Sequence, residues 1–109
     1  LESPVQSMLA KDIVIMSHPN DGVVFFKISN SGSVSKIRSR KIFGQIGVLG
    51  IKEIAKGVLF IEAINGEGSF IGKYDKLGNM SFTRLLTPNN ETVFSNEEYP
   101  KDQLFNSKY

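Results

Sequence analysis

The chain aligns with itself at an offset of 46 residues without a gap, so that residues 5–38 fall on residues 51–84. Apolar blocks and turn residues coincide in the two halves, and six positions are identical: Ile15 falls on Ile61, Gly22 on Gly68, Lys27 on Lys73, Gly32 on Gly78, Ser35 on Ser81 and Arg38 on Arg84. Internal periods of about 40 to 50 residues are typical of stacked or radially arrayed units that cannot bury their apolar faces alone. The offset therefore favours a duplication.

Short β-rich runs alternate with glycine turns in both halves, and no stretch shows a sustained helical period. We expect four strands in each unit, at residues 5–9, 12–16, 23–29 and 34–39 in the first and at residues 50–55, 58–63, 69–75 and 80–85 in the second. The first of these contains polar residues, and a short helix running through Lys11 is the alternative there. The sequence predicts an all-β domain over residues 1–86, built from two antiparallel four-stranded meanders, and an extended tail over residues 87–109.

The segment between the units, residues 43–50, places glycines three apart. A phosphate-binding loop would need these glycines to lead from a strand into a helix. The following residues, Ile51-Lys52-Glu53, instead have the pattern of a strand. We therefore interpret the segment as a flexible connector or a bulged strand.

Residues 73–79 read Lys-Tyr-Asp-Lys-Leu-Gly-Asn and precede the aromatic Phe82. This run resembles the turn between outer strands of a β-propeller blade that carries a Lys-x-Asp-x-x-Gly-Asn motif before an aromatic residue. The first unit keeps Lys27 and Gly32 but has Lys36 in place of the aromatic residue. The resemblance implies blade-like units, and propellers typically have four to eight blades. Two blades need an oligomer, further repeats or a different closure, and a self-contained β-sandwich or barrel is the simpler arrangement for 109 residues.

The residue inventory restricts the possible chemistry. With no cysteine the chain has neither disulfides nor thiolate metal sites, and its one histidine, His18, precedes a proline in an expected turn. No carboxylate spacing indicates a metal site, and we expect no catalytic residue and no cofactor. No apolar run reaches the roughly 18 residues that span a bilayer. A formal net charge of +2 is too small to indicate a polyanionic partner.

One basic stripe has a geometric basis. Lys36, Arg38 and Arg40 are spaced by two on an expected strand, so we expect them to project from the same face, with Lys41 just beyond. The stripe is a candidate site for an anionic partner such as nucleic acid or a lipid head group. The alternative is that these charges protect an exposed sheet edge from aggregation, and the modest net charge favours this alternative.

Two function classes remain. The leading hypothesis is a non-enzymatic protein-binding or assembly module that presents a β-sheet face or edge to a protein partner or to copies of itself. The alternative is a module that binds a carbohydrate or an anionic ligand at sites between the repeats, with Tyr74 as a candidate stacking platform. We expect a protein partner or a homo-oligomer rather than nucleic acid.

Overall fold

The computed structural model of the protein describes residues 4–85. Two four-stranded antiparallel sheets occupy these residues, each with its strands in sequence order. The first sheet consists of β1 (Val5–Gln6), β2 (Ile13–His18), β3 (Gly22–Ile28) and β4 (Val34–Arg40), and the second of β5 (Val48–Ala55), β6 (Val58–Ala63), β7 (Ser69–Tyr74) and β8 (Met80–Arg84). The prediction of an all-β fold with two meanders is confirmed. The sheets do not close into a barrel, and the predicted tail over residues 87–109 lies outside the described part of the chain.

The last hairpin of each sheet closes in the same way. Gly32 N–H donates to Ser29 C=O at 2.9 Å, and Gly78 N–H donates to Asp75 C=O at 3.0 Å. Both glycines have φ values in the left-handed region, 89° and 79°, which glycine adopts without the steric cost of a side chain. In the second sheet, hydrogen bonds from the Asn79 side chain and backbone to the Asp75 carboxylate hold the pKa of Asp75 below its usual value.

The two sheets match strand by strand, with one shift that the sequence alignment does not show. Ile28 N–H donates to Asp12 C=O at 2.8 Å in the first sheet, and Tyr74 N–H donates to Gly57 C=O at 3.0 Å in the second. Tyr74 follows Ile28 by 46 residues, but Gly57 follows Asp12 by only 45. The turn between β6 and β7 is therefore one residue longer than the turn between β2 and β3. An offset of 46 residues therefore relates β3 to β7, whereas an offset of 45 residues relates β2 to β6.

The core is formed by faces that are not equivalent in the two sheets. Phe25 of β3 is fully buried between the sheets, whereas Ile71, its equivalent in β7, lies on the opposite side of the second sheet from the buried Phe70. Conversely Val24, the equivalent of Phe70, lies on the side of the first sheet that faces away from the core. The two sheets therefore pack through non-equivalent faces, front to back.

We call the buried sides the core faces and the opposite sides the outer faces. The core face of the first sheet carries Ile13, Ile15, Val23 and Phe25, and that of the second carries Leu59, Ile61, Phe70, Tyr74 and Phe82. The outer face of the first sheet carries Val14, Met16, Val24, Phe26 and Ile28, and that of the second carries Phe60, Glu62, Ile71, Lys73 and Thr83. All residues of both core faces belong to one apolar cluster.

The start of the domain differs from its prediction. β1 contains only two residues, and the expected strand over residues 5–9 is wrong beyond Gln6. Ser7 Oγ accepts hydrogen bonds from the N–H groups of Leu9 at 3.0 Å and Ala10 at 3.2 Å. A serine hydroxyl that bonds nearby backbone groups stabilises a turn in competition with a strand. The alternative helix through Lys11 does not form either.

The connector between the sheets belongs to the core. Ile42, Phe43 and Ile46 are buried, and the Phe43 ring packs edge-on against Phe70 at 5.8 Å and Phe82 at 6.0 Å between centroids. β5 begins after this segment with the bulge that the sequence indicated. The glycine-rich segment is thus a packed element rather than a flexible one. No helix among residues 4–85 is long and apolar enough to cross a membrane.

Candidate functional site

The predicted basic stripe is divided between two faces of the first sheet. Lys36 pairs with Phe26 of β3, whereas Arg38 pairs with Phe25, because a bulge in β4 inserts one extra residue between these two pairs. Paired residues of neighbouring strands lie on the same face. Lys36 therefore lies on the outer face and Arg38 on the core side, and the expectation of a common face is wrong for Lys36.

Arg38 and Arg40 instead reach the second sheet at its last turn. Arg38 Nη1 donates to Asn79 Oδ1 at 3.0 Å, and Arg40 Nη2 donates to the same oxygen at 3.1 Å. Arg40 Nε also donates to Gly78 C=O at 3.2 Å. These two arginines join the sheets, while Lys41 is exposed. The role of this basic set in binding an anion stays a prediction.

Tyr74 lies at the centre of a second polar contact between the sheets. Its hydroxyl donates to Glu53 Oε2 at 2.5 Å and lies 2.6 Å from Ser7 Oγ. Because a tyrosine hydroxyl has a single proton, the proton between Tyr74 and Ser7 comes from the serine. A chain of hydrogen bonds thus runs from Ser7 through Tyr74 to Glu53. We call these three residues the polar clasp.

Ser7 and Tyr74 are buried, Glu53 is half-buried, and the polar side-chain groups of the clasp are hydrogen-bonded. Glu53 Oε1 accepts the N–H of Met8 at 2.8 Å, and Oε2 also accepts the N–H of Gly57 at 3.0 Å. Burial and the bond to Glu53 raise the pKa of Tyr74 to about 12. Only 7% of the tyrosine is exposed and its ring lies 5.4 Å from that of Phe25, so a ligand has no open ring face to stack on. The predicted stacking role of Tyr74 finds no support in this geometry.

The outer face of the first sheet carries an apolar depression. It has a volume of about 220 Å³ and is bounded by Met16, Ser17, His18, Asp21, Val24, Phe26 and Lys36. Met16, Val24 and Phe26 form its apolar part, and polar side chains form its rim. A sheet that is solvated on one face usually shows polar residues there. The outer face of the first sheet instead carries apolar side chains at its centre.

A second depression lies where the two sheets meet. It has a volume of about 390 Å³ and is bounded by Ala10, Asp12, Ile13, Lys27, Ile37, Lys76 and Leu77. Lys27 contributes from the first sheet and Lys76 from the last turn of the second. Lys27 Nζ lies 3.8 Å from Asp12 Oδ2, and both side chains are about half exposed. This second depression, which we call the cleft between the sheets, therefore combines the ammonium groups of Lys27 and Lys76 with apolar walls, next to the carboxylate of Asp12.

Side chains that would bind metal do not converge in residues 4–85: no group of three or more His, Cys, Asp or Glu residues lies close enough to hold an ion. His18 Nδ1 accepts hydrogen bonds from the N–H groups of Asn20 and Asp21, both at 3.0 Å. The histidine therefore stabilises the turn between β2 and β3.

Comparison of the chain with protein-family models, with curated proteins and with solved structures finds no match. Sequence reasoning missed the outer face of the first sheet, although the run Val23-Val24-Phe25-Phe26 contained a signal for it. Four consecutive apolar residues in a strand indicate burial on both faces, because alternate side chains point to opposite sides.

Proposed function

We propose that the protein is a non-enzymatic assembly module that binds protein through the outer face of its first sheet. In this proposal the two sheets are blade-like units of the kind found in β-propellers. The first sheet is not complete by itself, because it presents two apolar faces and the second sheet covers only one of them. The outer face of the second sheet combines Phe60 and Ile71 with the polar residues Glu62, Lys73 and Thr83. The proposal assigns no catalytic residue.

The front-to-back packing of the two sheets is the observation that carries this proposal. Two sheets that packed through equivalent faces would form a closed pair, because the face that makes the contact would be covered on both sheets. A heterologous contact leaves one free face of each type, and it continues until a ring closes or a filament forms. Ile71 on the outer side of the second sheet and its equivalent Phe25 in the core show that the contact is heterologous here.

The apolar depression on the outer face supports the same proposal. Its apolar part consists of Met16, Val24 and Phe26, with Lys36 at its rim. Apolar centres surrounded by polar rims are the usual organisation of protein interfaces. The energetically dominant contacts of such interfaces are side chains inserted into apolar pockets near the centre.

A second candidate, binding of a small anionic ligand, is favoured by the cleft between the sheets. Lys27 and Lys76 reach it from different sheets, an arrangement that suits a carboxylate or phosphate carried on an apolar body. The half-exposed ion pair between Lys27 and Asp12 argues against it, since that lysine already has a partner at 3.8 Å. We therefore rank this function second.

The experiment compares the mass of the protein in solution across a range of concentrations with that of two variants. Phe26→Glu places a charge in the apolar depression, and Gln45→Glu adds the same charge at an exposed position of the connector between the sheets. We expect self-association of the wild-type protein and of Gln45→Glu, and its loss in Phe26→Glu. A glycan and nucleotide binding screen accompanies these measurements. Monomers at every concentration, together with a saturable ligand lost in Lys76→Ala, would overturn the assembly function in favour of the second candidate.

A further inference from the structure

We infer that the surface which occupies the outer face of the first sheet is the outer face of the second sheet of another copy of this chain. The inference rests on the proposed function, since it names the partner of that same face. Inside the chain, the face that carries Phe25 packs against the face that carries Tyr74. The outer face of the second sheet is equivalent to the face that carries Phe25. The outer face of the first sheet is equivalent to the face that carries Tyr74. Two copies placed head to tail therefore bring together the pair of face types that already packs within each copy.

The repeat specifies which residues meet. The rings of Phe25 and Tyr74 lie 5.4 Å apart across the internal interface. Ile71 is the equivalent of Phe25, and Ile28 is the equivalent of Tyr74, each at an offset of 46 residues. Both isoleucines are half-buried and lie on outer faces. The head-to-tail contact therefore places Ile71 of one copy against Ile28 of the next.

The turn between β3 and β4 supplies a second expected contact. Across the internal interface, Asn79 accepts a hydrogen bond from Arg38, which pairs with Phe25. Thr83 pairs with Ile71 in the second sheet, as Arg38 pairs with Phe25 in the first. Ser33 is the equivalent of Asn79 and is exposed. The same packing between copies thus places Ser33 of one copy on the side of Thr83 of the next.

A contact of this kind predicts a ring of defined size. Because propellers close with roughly four to eight blades and each chain contributes two sheets, closure takes about two to four copies. The mass of a single chain is 12.1 kDa, so such a ring is readily distinguished from both a monomer and an open filament.

Disulfide trapping tests the inference directly, because the chain contains no cysteine of its own. Two single variants, Ile28→Cys and Ile71→Cys, are purified separately and oxidised either alone or as a mixture, and covalent dimers are detected on a non-reducing gel. We expect a dimer in the mixture and none from either variant alone. The double variant Ile28→Cys/Ile71→Cys should form covalent rings that contain about two to four copies. Leu77→Cys, an exposed apolar position in the last turn of the second sheet, which faces the first sheet of the same copy, serves as the control for random collision.

The remaining outcomes separate the inference from the proposed function. A dimer from Ile28→Cys alone would mean that two first sheets meet face to face, which overturns the inference and leaves the proposed binding face intact. A dimer from Ile71→Cys alone, together with self-association that survives Phe26→Glu, would overturn both. A wild-type protein that stays monomeric at all concentrations would also overturn the inference. The folding of each variant is checked by its circular dichroism spectrum before oxidation.

Discussion

Removal of one hydroxyl group tests whether the polar clasp holds the two sheets together. Tyr74→Phe keeps the ring against Phe25 and deletes the bonds to Glu53 and Ser7. A hydrogen bond to a charged group contributes about 1.5 to 3 kcal/mol to stability, and one between neutral groups about 0.5 to 1.5 kcal/mol. The Glu53 carboxylate keeps its two backbone donors, from Met8 and Gly57, which limits the loss. We therefore expect the free energy of unfolding to fall by about 2 to 4 kcal/mol.

Equilibrium unfolding in urea, followed by circular dichroism, measures this change through linear extrapolation. Ser69→Ala is the matched control, because it removes a hydroxyl that donates to the carboxylate of Glu62 at 3.3 Å on the exposed surface. Its effect should stay within about 0.5 kcal/mol. A double-mutant cycle of Tyr74→Phe with Glu53→Gln should give a coupling energy of about 1 to 3 kcal/mol. If Tyr74→Phe were no more destabilising than Ser69→Ala, the clasp would not hold the sheets together.

Three further predictions concern the pH dependence of stability, the close approach of two backbone segments at Gly47, and the connector between the sheets. The pKa of Tyr74 rises from 10.0 to about 12 on folding. The difference in unfolding free energy between wild type and Tyr74→Phe should therefore be constant below pH 10 and shrink as pH rises towards 12, by at most about 2.7 kcal/mol. Urea unfolding at a series of pH values measures this difference. Gly47→Ala should destabilise the protein more than Gly66→Ala, because a Cβ at Gly47 would lie 1.7 Å from the backbone oxygen of Pro19. A Cβ at Gly66 meets open space, and only the strain of a φ of 71° opposes it. Thermal unfolding of the two variants compares their stabilities. Phe43→Ala should cost about 3 to 5 kcal/mol in the same urea assay, and Leu49→Ala, at a side chain 58% exposed, should cost far less.

The strands of both sheets were predictable because local signals agree there. Hairpin glycines such as Gly32 and Gly78 adopt the positive φ values that the turns require, and β-branched and aromatic residues fill the runs between them. The beginning of the domain was less predictable. The hydroxyl of Ser7 hydrogen-bonds the backbone of the next turn and the Tyr74 side chain. A local sequence pattern does not predict a contact with a residue so distant in the chain.

The candidate site was predicted only in part, for a reason that applies to all strands. Side chains alternate between two faces, so one extra residue transfers everything beyond it to the other side. The bulge in β4 separates Lys36 from Arg38 in this way, although their spacing by two suggested a common face. The run from Val23 to Phe26 is apolar on both faces, and the sequence therefore gave no reason to prefer one face for the core.

The sequence by itself determined the 46-residue repeat pattern, the class of fold and the approximate position of most strands. These properties follow from the local preferences of short segments, and those preferences recur in the two halves. Only the tertiary structure decided how the copies meet. The turn between β6 and β7 is one residue longer than its counterpart, and Ile71 faces outward where its equivalent Phe25 faces the core. Non-local packing selects which face of each sheet forms the core, and each sheet keeps an outer face that the other sheet does not cover.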